Sequence, residues 1–142
     1  MFSSILLPVD LAAEASWKRP LELALELARQ GGATLHAVTV VPDFGMSIVG
    51  SYFGADFEKK AMAEATQKLE AWAAGHVPEG VTARTHVAHG RIYEELLRTA
   101  DKLGCDAIVL GAHRPDFSDY LLGPNAARVV RHARQSVLVV RE

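Results

Sequence analysis

Residues 104–114 run Gly-Cys-Asp-Ala-Ile-Val-Leu-Gly-Ala-His-Arg, and the architecture hangs on how Ala107 to Leu110 are placed. A strand with one wet face alternates apolar and polar residues. An unbroken apolar run is buried on both faces, as in a parallel sheet covered by helices. We therefore read Asp106 to Gly111 as an internal strand. Upstream, Ile92, Leu96, Ala100 and Leu103 recur at helical spacing and Gly104 stops that helix. Downstream, Leu121 to Ala133 keeps the helical period, and Ser136 to Arg141 is a strand rich in valine.

The same alternation extends towards the N-terminus. Phe2 to Val9 is short, apolar and followed by Asp10, which marks a buried strand. Trp17, Leu21, Ala24, Leu25 and Ala28 give a helix from Trp17 to Arg29, ended by Gly31-Gly32. Leu35 to Val41 is a second buried strand, closed by Pro42. Asp43 to Ala55 holds three glycines and the apolar Phe44, Met46, Ile48, Val49, Tyr52 and Phe53, and reads as a mobile loop with at most a helical turn. Phe57, Ala61, Ala65, Leu69 and Trp72 mark the next helix, and Val81 to Ala88 alternates as a half-buried strand. The order β-α-β-α-β-α-β-α-β predicts an α/β fold: one doubly wound, five-stranded parallel sheet in the order 3-2-1-4-5, with helices on both faces. Residues 1–142 form a single domain on this reading.

Composition narrows the function classes. Of 142 residues, 49% are hydrophobic and 23% charged, an ordinary balance for a globular protein. Fifteen Lys+Arg against 17 Asp+Glu give a net charge of −2, with both signs scattered, so no electrostatic footprint for nucleic acid is expected. The one cysteine, Cys105, cannot form an internal disulfide, and a structural thiol is expected there. No apolar run reaches the ~18 residues of a membrane span, so no membrane insertion is expected. No basic, apolar leader opens the chain, which points to a cytoplasmic location.

In an open parallel sheet, ligands bind beyond the carboxyl ends of the strands, where the strand order reverses. Here that point lies between strands 1 and 4. Pro8-Val9-Asp10 closes the first, Gly111-Ala112-His113-Arg114-Pro115 the second, and Gly123-Pro124-Asn125 opens the last helix. Glycine lets a ligand approach the backbone, and free N–H groups at a helix start suit a phosphate. Asn125 adds an amide and Arg114 a positive charge at the same mouth.

These residues resemble the universal stress protein family over essentially the whole chain. The resemblance rests on Ile5-Leu6-Leu7-Pro8-Val9-Asp10, Leu35-His36-Ala37-Val38, Cys105 to Gly111, and the ending Arg131-His132-Ala133 with Val137 to Arg141. It implies an adenine-nucleotide alpha-hydrolase-like fold. The ATP-binding branch carries Gly-x2-Gly-x9-Gly-Ser/Thr; Gly111 and Gly123 are read as its first and third glycines, with eight residues rather than nine in the second interval, while Arg114 replaces the second and Pro124 the Ser/Thr. A hydrogen bond to a charged group is worth about 1.5–3 kcal/mol, so the lost hydroxyl corresponds to roughly 10- to 150-fold in affinity.

The resemblance implies ATP, with or without magnesium, as the ligand. Pro8, Val9 and Asp10 would line the nucleoside pocket and Ala37 would meet the adenine edge through its main chain. Gly111 would pass under the ribose and phosphates, with His113 and Arg114 beside them. Gly123, Asn125 and Ala126 would hold the distal phosphates. It further implies a homodimer paired through Val137, Leu138, Val139 and Val140, and a protein partner such as a component of a tripartite solute transporter, in keeping with a subgroup that carries Arg at the position of Arg114.

Other residues have plainer readings. His36 is expected to be a satisfied core histidine, and His86, His89, His113 and His132 show no metal-ligand spacing. Trp17 and Trp72 fall on core-facing helical stripes. Arg128, Arg131 and Arg134 could gather an anion, or serve the negative end of their helix. No nucleophile–base–acid set, Gly-x-Ser-x-Gly, His-Glu-x-x-His or Walker lysine occurs, so no catalytic residue is expected and at most slow ATP hydrolysis. The leading expectation is an ATP-binding stress or regulatory protein, a switch whose nucleotide orders the loop at Asp43 to Ala55. The alternative is a dimeric partner-binding module that needs no nucleotide. A flavin or small-molecule enzyme on the same fold is disfavoured by the scarcity of aromatic residues at the crevice.

Overall fold

The computed structural model describes residues 1–42, 47–112 and 122–141, the side chains of 47–55 and 122–124 excepted. Its strands are β1 (Ser4–Pro8), β2 (Thr34–Pro42), β3 (Ala83–Gly90), β4 (Ala107–Ala112) and β5 (Ser136–Arg141). The helices are α1 (Lys18–Gly31), α2 (Ser47–His76), α3 (Ile92–Lys102) and α4 (Leu122–His132), with a 3-10 turn at Glu14–Ser16. The five strands are all parallel, in the order β3-β2-β1-β4-β5.

The apolar runs sit where burial on two faces demands. Ile5, Leu7 and Val9 of the first segment, with Leu35, Ala37, Ala107 and Val109, pack against α1 and α2 through Leu21, Ala24, Ala28, Leu69 and Trp72. The alternate residues Leu6, Val38, Ile108 and Leu110 pack against α3 and α4 through Leu96, Ala100, Ala126 and Val129. Two helices thus cover each face. Trp17 and Trp72 meet edge to face with ring centroids 5.3 Å apart, both buried in the first of these cores. Gly32 closes α1 in the left-handed region at φ 62°, its N–H bonded to the Ala28 carbonyl, a conformation that favours glycine.

One segment differs from its sequence reading. Residues 47–55, expected as a loop, are the first turns of α2, which runs for 30 residues. Gly50 and Gly54 each cost a helix about 1 kcal/mol relative to alanine, which is why the composition points the other way. Their cost is spread over a long helix whose later turns are anchored on the sheet by Leu69 and Trp72. Residues 43–46 lie outside the described residues.

Candidate functional site

The crevice begins where β1 and β4 part. Their pairing covers only Ile5↔Ala107 and Leu6↔Ile108, whereas β1 stays paired to β2 as far as Pro8↔Val38. Successive N–H groups along a strand point to opposite neighbours, and Val9 donates to the Val38 carbonyl at 2.8 Å, on the β2 side. The adjacent N–H, missing because residue 8 is proline, would have pointed towards β4. A proline in a central strand is tolerable here because the ladder on that side has already ended.

Beyond this parting lies a cavity of about 210 Å³. Val9, Val38, Val40, Leu110 and, from α3, Ile92 and Leu96 give it apolar walls. Asp10, Ser16, Thr39 and Asn125 add polar groups, and Pro8, Pro42, Gly111 and Ala126 complete the lining. Asp10 is exposed and held in place. Its Oδ1 accepts from the Ala12 N–H at 3.0 Å, and its own N–H donates to Ser16 Oγ at 3.2 Å. The Ser16 hydroxyl in turn donates to the Ala13 carbonyl at 2.7 Å. Among the described residues Oδ2 has no hydrogen-bond partner, so the aspartate both turns the chain and keeps an acceptor for a ligand.

Gly111 answers to a constraint inside the protein. A Cβ there would lie 2.8 Å from the Ser16 carbonyl oxygen and 3.2 Å from Pro20 Cγ, so the glycine lets the 3-10 turn and α1 close against β4. This close packing brings Ser16 to the cavity edge. The glycine is required whether or not a phosphate passes over it.

Of the residues expected at the site, Pro8, Val9, Asp10, Gly111, Asn125 and Ala126 line one cavity. Ala37 does not. It is buried in the core shared with α1 and α2, while its successors Val38 and Thr39 reach the cavity. His113 and Arg114 lie outside the described residues, and Gly123 falls in the first turn of α4. Ser16, Thr39, Val40, Ile92 and Leu96 were not expected. The closing Pro42 of β2, next to the switch point, was the one available signal for Thr39 and Val40. The others depend on how α3 and the 3-10 turn fold back over the strand ends.

A second recess of about 250 Å³ adjoins the first and shares Pro42, Ile92 and Asn125 with it. Its remaining lining is Gly90, Arg91, Tyr93 and Arg128. Elsewhere, His36 Nδ1 and His86 Nε2 are 2.9 Å apart on β2 and β3. Burial lowers the pKa of both rings; each is lowered further by positive neighbours, His86 and Arg84 for His36, and Arg84 and Lys102 for His86. Cys105 is buried, and burial pushes its thiol up from the ordinary value, which disfavours the thiolate. Among the described residues no three His, Cys, Asp or Glu gather to hold a metal, and no helix is long and apolar enough to cross a membrane.

The sequence model of the universal stress protein family matches residues 1–141. The chain belongs to that family. It is 33% identical over 144 residues to "Universal stress protein G" of Shigella flexneri, covering 99% of this chain and 100% of that one. Among solved structures, universal stress protein UspA from Lactobacillus plantarum superposes with a TM-score of 0.72 at 24% identity, covering 98% of this chain and 97% of that one. A universal stress protein from Archaeoglobus fulgidus, in complex with dAMP, gives a TM-score of 0.58 at 20% identity, with 96% of each chain covered. The strand order and helix placement are those of this family's adenine-nucleotide alpha-hydrolase-like fold. Against the motif that the resemblance assigned to the ATP-binding branch, this universal stress protein keeps Gly111 and Gly123, at an interval one residue shorter, and departs at Arg114 and Pro124.

Proposed function

We propose that this universal stress protein binds an adenine nucleotide, ATP foremost, in the cavity between the carboxyl ends of β1 and β4, and that the bound state regulates a protein partner. The observation that carries the reading is the convergence of Asp10, Asn125 and an apolar recess at the place where the sheet ladder opens. The branched walls fit the flat, weakly polar faces of a purine, and Asp10 offers an acceptor at the rim for a ribose hydroxyl. The dAMP complex of a family member supports an adenine ligand. Magnesium would travel on the phosphates. A switch requires the nucleotide to bind two conformations unequally. Ordering of 47–55 is not that device, since those residues are already helical.

The same reading makes the protein a cytoplasmic homodimer. β5 is an edge of the sheet, and Val139 on it is 40% exposed, an apolar edge suited to pairing with a second copy. Val139→Lys is expected to move the protein from dimer to monomer on a sizing column; an unchanged elution volume removes this interface.

The decisive test of the ligand is isothermal titration of nucleotide-stripped protein with ATP and magnesium, with AMP in parallel. Micromolar ATP and weaker AMP are expected. Heat only at millimolar ATP, or none, would leave the nucleotide-independent dimer, which Pro124 in place of the phosphate-binding hydroxyl favours.

A further inference from the structure

Pro124 leaves open what holds the phosphates. Loss of a hydroxyl at the start of α4 must be offset if a triphosphate is to bind, and the adjoining recess contains the chemistry. Asn125 lines both cavities, and Arg128, three residues on, shares its face of α4. The Arg128 guanidinium lies 5.0 Å from the centre of the Tyr93 ring. Arg91, at the start of α3, lines the recess from the other side.

How each cation is held matters. Arg91 lies 3.7 Å from Glu94, an exposed pair whose guanidinium is partly committed. Arg128 is held by an aromatic face, and among the described residues it has no carboxylate partner. A guanidinium held on a ring keeps the in-plane N–H donors that a carboxylate would have used, and those donors match phosphate oxygens two at a time. The ring is itself fixed, because the Tyr93 hydroxyl donates to Glu94 Oε1 at 3.2 Å. Glu94 therefore orients both the Tyr93 platform and Arg91 beside one recess.

We infer that this recess is the polyphosphate subsite of the nucleotide cavity, with Arg128 as its principal cation and Arg91 as its second, in place of the hydroxyl absent at Pro124. The inference rests on the nucleotide reading above. Arg128 binds the β- and γ-phosphates of ATP, while the nucleoside end remains with Asp10 and the apolar walls. Tyr93 acts as a positioning residue for Arg128.

The test is titration of wild type and Arg128→Gln with ATP, AMP and adenosine. A lost charge-assisted bond should weaken ATP by roughly 10- to 100-fold in Arg128→Gln and leave adenosine within about twofold. Tyr93→Leu, which removes the ring, should lose part of the ATP preference, and Tyr93→Phe, which keeps the ring but not its bond to Glu94, a smaller part. Arg128→Lys should restore part of it. Arg128 is exposed, so matched melting curves are expected and show that folding is not the cause. If wild type binds neither ATP nor adenosine, the nucleotide reading falls and the subsite with it. If wild type prefers ATP to adenosine and Arg128→Gln keeps that preference undiminished, the subsite alone is overturned.

Discussion

At the amino ends of the strands, Asp106 accepts from the N–H of Ser3 at 3.0 Å, the N–H of Ser4 at 3.0 Å and the Ser3 hydroxyl at 3.2 Å. At the carboxyl ends, Asp10 accepts one N–H, from Ala12, and holds its second oxygen without a described partner. Both are aspartates beside a central strand, yet among the described residues the first has both oxygens engaged by the protein and the second only one. Partial burial pushes the Asp106 carboxyl up, but the donors of Ser3 and Ser4 outweigh it and hold it below the usual carboxylate range. The Asp106 N–H also donates to the Ser4 carbonyl at 2.9 Å, so β1 and β4 are clipped together at the end where they pair. Where they part, polar groups face a cavity. The difference separates residues engaged in holding this fold together from residues that leave polar groups facing a cavity.

Two substitutions test that separation. Asp106→Ala strips the Ser3 and Ser4 donors of their acceptor and should lower unfolding free energy by roughly 1.5–3 kcal/mol, with ATP affinity unchanged. Asp10→Asn keeps the oxygen that accepts from Ala12 and removes only the charge. Its stability should stay within about 0.5 kcal/mol of wild type, while ATP affinity falls about tenfold, or ~1.4 kcal/mol. Denaturant unfolding and calorimetric titration of both variants decide the matter. Reversed outcomes, with Asp10→Asn unfolding easily or Asp106→Ala losing ligand, would abolish the distinction between the two ends.

Much of this organisation is legible in the chain because burial on two faces leaves few choices. An uninterrupted Ala107 to Leu110 has no wet side, and the alternation of strands with helical stripes leads to the order seen. β5 matches its expected span residue for residue, since Ser136 and Arg141 bracket four apolar residues. Of the six expected residues that line the cavity, Pro8, Val9, Asp10, Gly111 and Asn125 lie where topology puts the switch point, and Ala126 followed from the family resemblance. Depth was not legible. Ala37 and Val38 are adjacent, strand alternation sends one into the α1–α2 core and the other into the α3–α4 core, and how far along β2 the cavity opens decides that Val38 and Thr39 reach it and Ala37 does not. The start of α2 was hidden by its glycines. The contact between His36 and His86 joins residues 50 apart, on strands whose parallel register no local pattern reveals.

That histidine pair lies between the two ends and gives the smallest effect. One ring must donate and the other accept at 2.9 Å, so the pair requires at least one neutral imidazole. Both rings are lowered from the ordinary value of 6.5, chiefly by burial, with Arg84 adding to each and Lys102 to His86. In the unfolded chain both take up protons as pH falls through about 6.5, whereas in the folded chain they resist until lower pH. Between those limits the unfolded state holds more protons, so the pair's contribution to stability is complete above about pH 6.5 and is lost as pH falls towards the folded values. His86→Gln removes one titrating ring and keeps a side chain that can hydrogen-bond His36. Chemical unfolding from pH 7.5 to 5 should show a shallower loss of stability in this variant than in wild type. Neither histidine lines the cavity between β1 and β4, so the pH dependence of ATP affinity should be the same in both proteins. A variant with unaltered stability slope would mean that the rings titrate alike in folded and unfolded chains. A changed slope in affinity would mean that the acid response reaches the carboxyl ends, and that the body of the sheet and its binding end are not independent.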